Sequence, residues 1–145
     1  MHISRLLGPI IELVAWTLVI QIWMYTVRLT EMRRAGISFK GRVGTKSGAL
    51  EGKIPDRANW KAHNYNNLME QPTIFYAIVV ALILMGFNAW INVCLAWAYV
   101  ALRIVHSLVQ VTVNVVFYRF LLFIAGSLCL LGLTTHAAIF LIHRG

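Results

Sequence analysis

Four apolar runs, roughly Leu6–Val27, Leu68–Phe87, Ala89–Phe117 and Phe120–Ile142, constrain this chain more than any other feature. Each holds about the 20 residues that a helix needs to cross a hydrocarbon core of about 30 Å. A segment in lipid must satisfy its own backbone polar groups, so the runs predict an all-α integral membrane protein, a four-transmembrane-helix bundle. The expected helices cover about 6–29, 60–87, 89–117 and 119–142, with a loop at about 31–57, all in one membrane domain over 1–145. At 59% hydrophobic and 12% charged, the 145 residues are too apolar for a soluble domain. The first run does not read as a secretory signal, because it is long, Glu12 interrupts it and no small-x-small cleavage site follows.

The net charge of +8 raises the question of nucleic acid, and its distribution answers it. Nine of the 13 Lys/Arg residues fall between Arg28 and Lys61, on the link between helices 1 and 2, and Arg119 in the next turn on that side makes ten. Only Arg5 and Arg144 lie on the other side, and Arg103 is inside helix 3. That asymmetry is the positive-inside pattern, so the link is expected in the cytoplasm and both termini on the non-cytoplasmic side. The charge reads as topology and anionic-headgroup contact, with no nucleic-acid partner.

The link EMRRAGISFKGRVGTKSGALEGKIPDR has five glycines and no sustained periodicity, and is expected to be a mobile loop. Its GRVGTKS lacks the spacing of a phosphate loop and no buried strand precedes it. The other connections, near residues 88 and 118, are short, so helices 2, 3 and 4 are antiparallel neighbours. Gly126, Ser127 and Gly132 let helix 4 approach its neighbours closely. Cys94 and Cys129 read as packing residues without disulfide or metal spacing, and no metal site is expected.

Two helices carry polar stripes into the membrane. In helix 2, His63, Asn66, Asn67 and Glu70 share an arc of about 100°. In helix 3, Tyr99, Arg103, His106, Gln110 and Asn114 share an arc of about 80°. A charge at mid-membrane costs at least about 2.5 kcal/mol, so such groups face the bundle interior or a water-filled cavity. Glu70 lies eighteen residues before Asn88 and His106 eighteen after it, so equal rise brings the stripes to one depth. Glu70 is then level with Arg103 and His106 and is expected to pair there as a carboxylate. Asn67 is level with Gln110, and His63 with Asn114. Pro72 cannot donate to the Leu68 carbonyl and leaves that acceptor free beside Glu70. Such residues also glue membrane helices together, but a converging Glu, Arg, two His and several amides favours a polar cavity.

A cavity of carboxylate, amides and arginines that opens to the cytoplasm suits a small, multiply charged zwitterion. Arg28, Arg103 and Arg119 would receive carboxylates, and Glu70 an amine. The adjoining bilayer would supply a membrane lipid or hydrophobic small molecule as second substrate.

NYNNLMEQPTIFYA, Asn64 to Ala77, resembles the Asn-rich stretch and E-x-P of bacterial members of the MAPEG family, the membrane-associated proteins in eicosanoid and glutathione metabolism. Val27–Leu29 resembles the end of that family's first helix, and LRIVHS, Leu102–Ser107, the R-x-x-H of its third. The resemblance implies a homotrimer in a bacterial inner membrane, with glutathione as co-substrate between neighbouring subunits. Its function would be glutathione transfer to hydrophobic electrophiles, or hydroperoxide reduction. Glu70 and Asn67 would then hold the tripeptide backbone, Arg28 and His63 its carboxylates, and Arg119 would activate the thiol. Asn66, Arg103, His106, Gln110 and Asn114 would complete the glutathione site. His63 stands where the eicosanoid-forming members carry an arginine. Two other functions stay open. One is a non-catalytic membrane subunit binding a lipid headgroup or partner helix. The other is a small transporter, disfavoured by the absence of broken helices or a pseudo-repeat.

Overall fold

A computed structural model describes residues 4–38, 40, 41, 43, 44 and 48–144. The chain forms four helices, α1 (Leu7–Arg34), α2 (Asp56–Leu84), α3 (Trp90–Thr112) and α4 (Val116–Arg144). All four are long and apolar enough to cross a membrane, and no strand occurs among the described residues.

The helices end where local chemistry ends them. Gly36 at φ 65° and Gly86 at φ 66° close α1 and α2 in a conformation that costs other residues about 1–2 kcal/mol. In each case the glycine and the residue after it bond back to the last turn: Gly36 to Arg33, Ile37 to Met32, Gly86 to Ile83 and Phe87 to Leu82. Pro55, fixed at φ −55°, begins α2 four residues ahead of the expected start, with Asp56 favourably placed in the first turn. Helix α3 stops at Thr112, five residues short of expectation, because Asn114 takes φ 53° and turns the chain. Asn114 therefore lies in the turn, and Arg119 in the first turns of α4.

Helix α3 packs most extensively on α4, and α1 on α2; α2 touches all three others, whereas α1 and α4 do not approach each other. The core runs through Leu13, Ile20, Phe75, Val79, Leu82, Ala96, Tyr99 and Leu133. Lipid tails are as apolar as these side chains, so close packing and interhelical hydrogen bonds hold the bundle more than water exclusion does. A Cβ on Gly126 would sit 3.5 Å from the Tyr99 ring, and one on Gly132 would sit 3.1 Å from Leu95. Those small residues serve the seam between α4 and α3 of the same chain. Cys94 and Cys129 are free thiols.

The end of the link is more ordered than its glycine content suggests. Leu50 and Ile54 are buried with Met32 and Ala58, and Ile37 packs against them. Backbone bonds from Glu51 to Gly48 and from Lys53 and Ile54 to Leu50 shape this turn. The expectation of a wholly mobile loop is corrected there: two apolar residues among the glycines find a buried place at the helix ends. GRVGTKS includes Arg42, Thr45, Lys46 and Ser47, which lie outside the described residues.

Candidate functional site

A ladder of amides joins α2 to its neighbours. Asn64 donates to the Ser107 hydroxyl, Asn67 to Gln110 Oε1 at 2.9 Å, and Gln71 to the Ser127 hydroxyl at 2.8 Å. The spacing 64, 67, 71 follows one helical face. Asn67 and Gln110 thus meet at the depth expected from the count about Asn88.

The α2 stripe does not point inward as a unit. His63, Asn66 and Glu70 are exposed, while Asn64, Asn67 and Gln71 face the bundle. Periodicity groups residues on an arc but leaves the arc's direction open, and the predicted arc straddles the edge of the interior face. His63 consequently meets Glu51 of the link at 3.2 Å, rather than Asn114. Among the described residues the contacts between a carboxylate and a basic side chain are this one and the Arg34–Glu31 ion pair.

The expected Glu70–Arg103 pair is therefore absent from the described ion pairs. Arg103 is only 2% exposed and lies among neutral groups. Its Nε donates to the Tyr99 hydroxyl at 3.2 Å and an Nη to the Asn67 carbonyl at 3.3 Å. The Phe123 and Tyr99 rings lie 5.5 and 5.9 Å from its guanidinium carbon, close enough for cation–π attraction. The carbonyl it uses is one residue before that of Leu68, which Pro72 leaves without its helical donor.

At the end of the bundle nearest the basic link, Asn67, His106, Val116, Arg119, Phe120 and Phe123 line a pocket of about 230 Å³. Arg119 donates through Nη1 to Asn114 Oδ1 at 2.8 Å, while its Nε is buried with no hydrogen-bond partner. The pocket lining thus combines a cation, an amide and an imidazole with two phenylalanines. It suits a ligand with an anionic or thiolate end and an apolar neighbour.

The MAPEG family model matches residues 6–139, nearly the whole chain. The chain belongs to the MAPEG family. No curated protein and no solved structure matches it. The MAPEG family includes glutathione transferases and peroxidases as well as non-catalytic members, and its proteins are typically trimers.

In this MAPEG chain, Asn67, His106 and Arg119 converge on the pocket, with Gln110 behind Asn67 and Asn114 behind Arg119. Arg103 lies behind, bonded to the Asn67 carbonyl, and is not part of the lining. His63, Asn66 and Glu70 face outward, and Arg28 on α1 lies outside the lining, its Nε buried without a hydrogen-bond partner. Sequence reasoning missed Val116, Phe120 and Phe123, because an apolar pocket wall and a lipid-facing residue have the same composition. It also missed Gln71 and Ser107, and read Ser127 for its small size alone, because their hydrogen-bond partners become evident only once the helices are docked.

Proposed function

We propose that this MAPEG protein is a glutathione-dependent membrane transferase or hydroperoxide reductase acting on hydrophobic electrophiles. One observation carries the reading: Arg119 faces a pocket with phenylalanine walls, no described carboxylate pairs with it, and its buried Nε lacks a partner. Glutathione would supply the thiol, and a guanidinium beside the sulfur raises the thiolate fraction. Asn114 orients Arg119, Asn67 offers an amide to the tripeptide backbone, and Phe120 and Phe123 adjoin the apolar substrate.

The pocket is smaller than the roughly 300–1,000 Å³ typical of drug-sized ligand sites, so one chain holds only part of the tripeptide. His63, Asn66 and Glu70, exposed on a membrane helix, need cover other than lipid. A neighbouring subunit would provide it and complete the site with Arg28, which favours a homotrimer. The ten-to-two distribution of Lys and Arg favours a cytoplasmic link with both termini outside.

Isothermal titration with glutathione in detergent tests the reading, together with turnover of an activated aryl halide. Glutathione should bind, and Arg119→Gln should lower turnover by about 10²-fold or more, the scale of losing one stabilising donor. Absence of glutathione binding to the wild-type trimer would overturn it. A second reading, a non-catalytic subunit binding a lipid headgroup or partner helix, is favoured by the bonds already made between Asn67 and Gln110 and between Asn64 and Ser107. These groups would then be interhelical glue, and Arg119→Gln would leave no activity to lose.

A further inference from the structure

A second groove lies at the opposite end of the bundle, between the start of α3 and the last turns of α4. Phe87, Ile91, His136, Ile139, Phe140 and His143 line about 290 Å³ there. Phe87 and Phe140 are stacked, with centroids 4.2 Å apart and planes 15° from parallel. The walls are almost wholly apolar apart from two imidazoles.

Hydrogen bonding fixes which ring nitrogen each histidine has available. Asn92 is fully buried, and its Nδ2 donates to the Phe87 carbonyl at 3.3 Å. Its Oδ1 must then be the atom facing His136 Nδ1 at 2.8 Å, and that oxygen only accepts. His143 Nδ1 lies 2.8 Å from the Ile139 carbonyl, which also only accepts. In each neutral ring the hydrogen is therefore on Nδ1, and Nε2 carries a lone pair. In the neutral form, each of the two histidines lining this groove offers Nε2 as an acceptor.

We infer that the groove binds the head of a lipid-soluble phenol or hydroquinone, a single ring whose hydroxyl donates to His136 or His143 Nε2. Three features select that class. The volume is ample for one substituted ring, since an apolar cavity of about 150 Å³ already admits benzene. The stacked phenylalanines offer an aromatic wall, and ring-on-ring contacts are favourable in offset or edge-to-face geometry. An acceptor beside apolar walls discriminates strongly for a ligand carrying the matching hydroxyl, because the analogue without it leaves a polar group unpaired. A metal ion fits less well: His136 and His143 lie two helical turns apart, and no group of three or more potential ligands occurs among the described residues. The groove is at the other end of the helices from Arg119, so the inference does not rest on glutathione chemistry.

The test titrates 4-ethylphenol and its methyl ether, 4-ethylanisole, into the detergent-solubilised full-length protein labelled with ¹⁵N-histidine. The two probes have similar shape, but the ether has lost the donor. The phenol should bind saturably, at least tenfold more tightly than the ether, and shift an Nε2 resonance of His136 or His143. His136→Phe could disturb Asn92, so His143→Leu is measured beside it, and one of the two variants should weaken phenol binding at least tenfold. Equal affinity for phenol and ether overturns the inference. So does phenol binding that leaves both Nε2 resonances unmoved, or Zn²⁺ binding at the histidines without preference for the phenol.

Discussion

Arg119 reaches back five residues to donate to Asn114 at 2.8 Å, and Asn114 is the one described non-glycine residue with positive φ. The turn joining α3 to α4 and the cation of the pocket are thus one structural unit. Asparagine serves both roles, because it tolerates the left-handed region and its side chain can accept from the guanidinium.

Two substitutions at Asn114 should separate those roles. Asn114→Gly keeps the backbone conformation and removes the acceptor, so stability should change little while turnover falls as Arg119 loses its anchor. Asn114→Ala removes the acceptor and adds left-handed strain, lowering stability by a further ~1–2 kcal/mol. Thermal unfolding in detergent and turnover, measured on both variants, check this. Equal stability of the two variants would sink the argument from backbone strain.

Arg103 should couple to Tyr99 and not to Glu70. In a double-mutant cycle, Tyr99→Phe and Arg103→Met should show an interaction energy within the ~0.5–3 kcal/mol range of residues in direct contact. Glu70→Gln and Arg103→Met should instead add within about 0.5 kcal/mol, as non-interacting sites do. Chemical or thermal unfolding of the three single variants and two double variants measures both. A large coupling to Glu70 would restore the ion pair that helix counting alone suggests.

The two glycines on the seam between α3 and α4 should respond differently to added bulk. Gly126→Ala places its methyl at ordinary contact with Tyr99, so the better helix propensity of alanine should leave stability unchanged or raised by up to ~1 kcal/mol. Gly132→Ile should lower stability by ~1–3 kcal/mol, because Leu95 is already 3.1 Å from the first added carbon. The melting temperatures of the two variants give the comparison; a Gly132→Ile protein as stable as wild type would contradict the close approach.

Within the link, one buried leucine should matter more than the neighbouring contact between Glu51 and His63. Leu50→Ala should destabilise by about 2 kcal/mol or more and make the link easier to cleave by protease. Glu51→Ala removes the exposed contact with His63 and should change stability by less than ~1 kcal/mol. If His63 receives a glutathione carboxylate, freeing it from Glu51 should also strengthen glutathione binding in titration. Equal protease sensitivity of wild type and Leu50→Ala would restore the mobile link.

Length and apolarity along the chain determined four membrane helices, because a bilayer imposes one thickness and one backbone solution on every spanning segment. Turns were legible in part: a short connection near Asn88 was expected and found, whereas Asn114, surrounded by valines, looks like a continuation of α3. Helical counting from Asn88 was enough to bring Asn67 to Gln110, since two helices leaving one turn rise equally. What counting could not supply was rotation about the helix axis. Only docking decided that Asn64, Asn67 and Gln71 turn inward while His63, Asn66 and Glu70 turn outward, and that Arg103 rests on Tyr99 and a carbonyl instead of a carboxylate. Periodicity preserves the relative angles of side chains along one helix, but the face that is buried depends on the shapes of the other three.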